Sequence, residues 1–174
     1  MAIMTLLPDG TGLSSAAWVA VGEATRHECL DDDNGGTSYV KCSLNGRGMT
    51  ITYANPSVAG ADIASIESVA FVSSGRAIHR TDPSLVDISF AAPTAGFSET
   101  ASYDAHRTNY ETVTGTARTT SDGSNAWTYS DLESLSMMCT KNGSIEIYLS
   151  YLALKVNYTE AVSADNATFF GANF

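Results

Sequence analysis

The sequence predicts an all-β chain, a jelly-roll-like antiparallel β-sandwich with one short helical turn and extended termini. Three observations predict it. Apolar and polar residues alternate in several segments, which is the two-residue period of a half-buried strand. Charged residues make up only 16% of the chain while Ser and Thr supply 40 of its 174 residues, and a hydroxyl-rich surface suits strands and turns better than helices. Gly, Pro and Asn-rich breaks also recur at short spacing, as they do between the strands of a sandwich.

Residues 1–17 contain Pro8, Gly10 and Gly12 without sustained periodicity, and read as an N-terminal arm; the sandwich proper is expected over 18–159. After Trp18 the run Asp31-Asp32-Asp33-Asn34-Gly35-Gly36 makes a loop, and Tyr39 and Val40 open a strand. Met49, Ile51 and Tyr53 alternate with Thr50, Thr52 and Ala54 until Asn55-Pro56 ends that strand. The apolar concentration of Ile66, Val69, Phe71 and Val72 predicts a central strand covered on both faces, broken at Gly75. Val86, Ile88 and Phe90 mark a further strand, closed by Pro93 and Gly96. Thr112, Thr114 and Thr116 share one face of a strand with little apolar mass, suited to an edge. Thr128 or Ser130 is placed to cap a short helical turn, with Asp131 and Glu133 near its start. Asn142-Gly143 predicts a tight hairpin. Beyond it, Ile145, Ile147, Leu149 and Tyr151 occupy odd positions, whereas Leu152, Leu154, Val156 and Tyr158 occupy even ones. A bulge or a corner near Ser150 to Leu152 is the expected cause of that switch. Residues 160–174 form a C-terminal arm.

At this length one core is expected. Nine basic against nineteen acidic residues give a formal charge of −10, which excludes nucleic-acid binding by phosphate neutralisation. Cys29, Cys42 and Cys139 form no CxxC pair, so buried reduced thiols are expected. No basic leader or long apolar run precedes the sandwich, so neither a signal peptide nor a membrane partner is expected, and synthesis is expected in a host cytoplasm.

Four features, in order, resemble jelly-roll virion structural proteins of tailed bacteriophages, the head decoration and minor capsid proteins. These are Trp18 with Leu30-Asp31-Asp32-Asp33; Thr37-Ser38-Tyr39-Val40; Ala126-Trp127-Thr128 with Asp131-Leu132-Glu133-Ser134-Leu135; and Ser150-Tyr151-Leu152-Ala153-Leu154-Lys155-Val156-Asn157-Tyr158. Met137-Met138-Cys139 departs from the pattern, which has a Gly-containing strand there. The resemblance implies a virion protein, foremost a capsid decoration or cement protein that binds the head lattice and stabilises it. Its partners would be the major capsid protein or other virion proteins and further copies of itself, with a trimer natural. The alternative is a tail or neck appendage with a carbohydrate-binding sandwich. Exposure of Trp18 or Trp127 beside other aromatics would favour that alternative, and burial of both would count against it.

No catalytic motif is present, and no cofactor or catalytic residue is assigned. His27, His79 and His106 lack a nucleophile or metal setting. Asp31 and Asp33 are the weak candidates for a calcium ion, but the closing glutamate of an EF-hand is missing. Phe169, Phe170 and Phe174 are the candidate partner-binding residues, able to insert into a neighbouring subunit.

Overall fold

A computed structural model describes residues 1–14, 16–32, 36–77, 85–92, 97–104, 109–143 and 145–162. Eleven strands lie among them: β1 (Ala2–Leu6), β2 (Pro8–Ser14), β3 (Val19–Val21), β4 (Tyr39–Cys42), β5 (Arg47–Tyr53), β6 (Ile63–Ala77), β7 (Leu85–Ala92), β8 (Phe97–Asp104), β9 (Glu111–Thr114), β10 (Ser136–Asn142) and β11 (Ile147–Glu160). One helical turn, α1 (Tyr129–Glu133), precedes β10. The strands form two antiparallel sheets. The first runs β3-β4-β11-β6-β9, with β1 also paired to β11; the second runs β2-β5-β10-β7-β8. This is the expected β-sandwich. Of the junctions between consecutive strands, only β3 to β4 and β7 to β8 stay within one sheet; at every other one the chain passes to the opposite sheet.

Alternation dictates the core. Met49, Ile51 and Tyr53 of β5, Met137 and Cys139 of β10, and Tyr103 of β8 point inward from the second sheet. They meet Val69 and Phe71 of β6 and Leu149, Leu152, Leu154 and Val156 of β11. Each such side chain, fully buried, contributes roughly 1.5–3 kcal/mol. β6 continues through Gly75 rather than breaking there. The reason is steric: a Cβ on Gly75 would stand 2.8 Å from both Leu149 Cδ2 and Tyr103 Cε1, so the bare backbone admits two large core side chains while the ladder continues. Beside it, Ser73 Oγ and Tyr103 Oη share a hydrogen bond of 2.5 Å between the sheets.

The phase switch in β11 is a bulge. Leu149 pairs with Gly75 and Tyr151 with Ser74, which leaves Ser150 as an extra residue. α1 starts as the sequence predicts: Thr128 Oγ1 accepts from Asp131 N–H at 3.2 Å and Asp131 Oδ2 accepts from Thr128 N–H at 2.7 Å, a reciprocal cap.

Besides the expected break at Gly75, two further expectations differ from the structure. Residues 2–14, read as an arm, are β1 and β2, one in each sheet. Pro8 and Gly10 are compatible with a strand because β2 is an edge: Pro8 occupies its first position, and the register shifts between Pro8 and Gly10. The Asn142-Gly143 turn does not join paired strands, because β10 lies in the second sheet and β11 in the first. Only Gly143 takes positive φ, at 94°, whereas the tight hairpin turn needs it at both central residues.

Candidate functional site

The bulge at Ser150 sets the surface chemistry of the first sheet. Leu149 and Leu152 point into the core, so Tyr148 and Tyr151, three residues apart, both lie on the outer face. Strand register then assembles a row across that face. Val19 of β3 lies opposite Lys41 of β4, Lys41 opposite Tyr148 of β11, and Tyr148 opposite Arg76 of β6. The next position along is Tyr110, since its neighbour Glu111 pairs with Gly75. Four inter-strand gaps of about 4.8 Å make the row about 19 Å long.

The row is tightly knit. The Arg76 guanidinium stands 4.9 Å from the Tyr110 ring centroid and 5.2 Å from that of Tyr148, within the range of cation–π attraction. Tyr39 meets Tyr148 edge-on at 5.2 Å. Tyr148 Oη donates to Glu146 Oε1; burial first, and then the adjacent carboxylate, push its phenol up to about 12. Burial likewise raises Tyr110, opposed by the charge of Arg76. The loop backbone lies against Tyr110: Gly36 has φ 89°, and a Cβ there would stand 2.3 Å from the ring. All of Tyr39, Lys41, Arg76, Tyr110, Tyr148 and Tyr151 keep part of their surface in solvent. Beside the row the outer face is lined by small side chains. Ala70, Val72 and Ala153 are buried yet lie outside the core cluster, and Ser74 pairs with Tyr151 on one side and Thr112 on the other.

A cleft of about 500 Å³ opens beside the first sheet's β3 edge, where β2 and β3 border the two sheets. Thr11, Ala16, Val19, Ala20 and Ala24 line it, with Trp18 behind and Thr25 to His27 at its rim. The rim is a capped turn. Thr25 Oγ1 donates to Glu28 Oε2 at 2.7 Å, Thr25 N–H donates to the same oxygen at 2.8 Å, and Thr25 Oγ1 lies 3.1 Å from His27 Nδ1. The hydroxyl of Thr25, followed by its N–H, holds the Glu28 carboxyl below the usual range. Such a carboxylate is a weak general base, and it engages the hydroxyl rather than the imidazole, so Thr25, His27 and Glu28 do not form a nucleophile–base–orienter relay.

The residues singled out from sequence are dispersed. Trp18 is fully buried, its indole N–H donating to Arg47 O at 2.9 Å. Trp127 is 4% exposed and donates to Arg118 O at 2.8 Å. Neither tryptophan can serve as a sugar-stacking surface, and by the criterion set from sequence this counts against a carbohydrate site built on them; any such surface has to come from the tyrosines. Cys29, Cys42 and Cys139 are buried free thiols. Asp31 is partly buried, and among the described residues no group of three His, Cys, Asp or Glu is placed to hold a metal ion. Asp33, His79, His106, Phe169, Phe170 and Phe174 lie outside the described residues. No described helix is long and apolar enough to cross a membrane. Sequence reasoning missed the tyrosine row, whose members come from separate strands; the one available signal was the bulge that puts Tyr148 and Tyr151 on one face.

No family model matches the chain, and no curated protein matches it. Among solved structures, the CBM22-1 xylan-binding domain of Paenibacillus barcinonensis Xyn10C has a TM-score of 0.43 and 10% identity, covering 91% of this chain and 95% of that one. The N-terminal cellulose-binding domain of Cellulomonas fimi β-1,4-glucanase C has a TM-score of 0.33 and 14% identity, covering 84% and 90%. At these scores fold and site rest on this chain's own strands and side chains.

Proposed function

We propose that the chain is a non-catalytic, carbohydrate-binding β-sandwich, carried on a tail or neck appendage of a virion. The observation that carries the binding reading is the row Lys41, Tyr148, Arg76 and Tyr110 on the outer face, with Tyr39 and Tyr151 beside it. Tyrosine offers an apolar ring face with a polar tip, which matches a sugar ring bearing C–H groups on its faces and hydroxyls at its edge. Cationic and carboxylate groups supply donors and acceptors for those hydroxyls, and Lys41, Arg76 and Glu146 stand in or beside the row. A site of this kind binds one chain weakly, and many copies on one particle convert weak contacts into firm attachment. The virion setting rests on the family resemblance.

Affinity electrophoresis through soluble glucans, xylans and mannans, followed by calorimetry on those that retard the protein, tests the binding. Tyr148→Ala is expected to weaken the retained polysaccharide about tenfold, or roughly 1.4 kcal/mol, while the melting temperature falls by only a few degrees. Absence of retardation by any polysaccharide, or equal retardation of wild type and Tyr148→Ala, overturns the reading. Co-sedimentation with phage tails and with empty heads tests the setting: attachment to heads alone would favour the cement role over the appendage.

A further inference from the structure

The Asn142-Gly143 pair forms no hairpin, and its chemistry points elsewhere. We propose that Asn142 is a site of spontaneous covalent modification, deamidation to aspartate and isoaspartate, guarded in the folded chain by the side chain of Asn45. Gly143 lacks the Cβ that would hinder its nitrogen. A Cβ built there would meet nothing within 4 Å, so a ring closing on Asn142 has room. Hydroxide takes the proton of the Gly143 nitrogen, which attacks Asn142 Cγ. A C–N bond forms, the Cγ–Nδ2 bond breaks, and Nδ2 leaves as ammonia with a proton returned from water. Water then adds to one carbonyl of the cyclic imide and breaks one of its C–N bonds. Opening at Cγ gives aspartate, and opening at the main-chain carbonyl gives isoaspartate.

In the fold that nitrogen is engaged. Gly143 N–H donates to Asn45 Oδ1 at 2.9 Å, and while the bond is made the nitrogen keeps its proton. A second pair, Asn45-Gly46, lies at the same end of the sandwich, and its Gly46 N–H donates to Lys141 O at 2.8 Å. The two guards differ in kind. The Gly46 bond continues the ladder that pairs Arg47 with Lys141, so breaking it requires the strands to fray beside a fully buried side chain. The Gly143 bond depends on one side chain of an exposed residue, and exposed rotamers exchange in picoseconds to nanoseconds. Such a bond contributes roughly 0.5–1.5 kcal/mol, so the Gly143 nitrogen is released more often than that of Gly46, and Asn142 is modified before Asn45. The product is not neutral. Asn142 pairs with Asp87, so modification sets a second acidic residue across the strand. Isoaspartate also adds one main-chain carbon just ahead of Gly143, whose carbonyl accepts from the Lys141 ammonium.

The test is incubation of the full chain at mildly alkaline pH, with peptide mass mapping over time. Mapping separates Asn142 from Asn45 and from Asn34-Gly35, a pair that is not wholly within the described residues. The urea-unfolded chain supplies the unguarded rate of each pair. In the folded chain Asn142 is expected to convert about threefold to tenfold more slowly than in urea, and Asn45 about a hundredfold or more slowly, as for a bond released only by local unfolding. Asn45→Ala is expected to raise the Asn142 rate about threefold to tenfold, whereas Asn45→Asp, which keeps an acceptor oxygen, leaves it near wild type. Both variants are expected to melt at the same temperature. A lower melt confined to Asn45→Ala would trace its faster rate to a loosened fold and overturn the guard, as would equal Asn142 rates in the two variants. Conversion of Asn45 before Asn142, or an Asn142 that converts in urea and never in the folded chain, overturns the site.

Discussion

Lys141 is an ionisable side chain with no exposed surface, placed by the same alternation that turns Met137 and Cys139 inward along β10. Its ammonium donates to the carbonyl of Gly143. Burial lowers its pKa, against the partial compensation of Cys42 and Glu146 nearby. With the folded value below the unfolded one of about 10.4, the unfolded chain holds more protons between the two, and stability rises with pH across that window. Lys141→Met removes a buried charge and frees an exposed carbonyl to bind water. We expect it to stabilise the protein by about 1 kcal/mol at pH 7 and to flatten the rise toward pH 10, read from urea melts at several pH values. A net loss of stability at pH 7 would mean that the amine-to-carbonyl bond outweighs desolvation. Nothing in the sequence marked Lys141, because a lone Lys in a strand is ordinarily a solvated one. The tryptophans show the converse: each is a large ring whose N–H reaches a carbonyl 2.8 to 2.9 Å away inside the fold, so size and polarity alone did not tell a core plug from a ligand platform.

β11 is the element in which sequence and structure meet most closely. Its two apolar phases were legible because each holds for several residues, and the single extra residue between them had to be a bulge or a corner. That bulge resides in residue count rather than in the hydroxyl, since Ser150 Oγ is buried without a hydrogen-bond partner. Ser150→Ala is therefore expected to leave stability unchanged or raise it by up to about 1 kcal/mol. Deleting Ser150 forces one phase onto the wrong face and exposes either Ile147 and Leu149 or Leu152, Leu154, Val156 and Tyr158. At roughly 1.5–3 kcal/mol each, the longer set outweighs much of a typical domain stability of about 5–15 kcal/mol, and moving the shorter set also breaks the tyrosine row. The deletion is expected to lose the cooperative melt seen by circular dichroism, and a native-like melt would show that the register can slip without cost. β5 and α1 were legible for the same local reason, an unbroken alternation and a Thr-x-x-Asp cap. The Asn-Gly turn was misread as a hairpin because a turn motif fixes a reversal but not the sheet to which the next strand belongs. The tyrosine row was illegible because β4, β6, β9 and β11 meet only through register.

At the scale of the whole molecule, the pairing of β1 with β11 joins Ala2 to Tyr158 and Leu6 to Leu154, so the two ends of the described chain stabilise each other. This was hidden from sequence: a five-residue segment next to Pro8 carries too little alternation to read as a strand until its distant partner is known. The consequence separates an arm from a structural strand. Met4 and Leu6 are 5% and 1% exposed, and Leu7 O accepts from Ala54 N–H at 2.9 Å, tying the β1–β2 junction to the end of β5. Deleting residues 1–7 uncovers the β11 edge from Leu154 to Tyr158, removes two core side chains worth together about 3 kcal/mol or more, and leaves a strand edge open to pairing with other chains. The truncated protein is expected to unfold at a lower urea midpoint and to elute as aggregates at concentrations where the full chain does not. An arm that served only to grip a neighbouring subunit would come away with the midpoint unchanged, and that outcome would remove β1 from the sandwich. Because β1 pairs with β11 only from Leu154 to Tyr158, whereas the tyrosine row crosses β11 at Tyr148, the truncation is also expected to weaken saccharide binding only in proportion to the fraction unfolded, so binding corrected for folded protein should match the full chain.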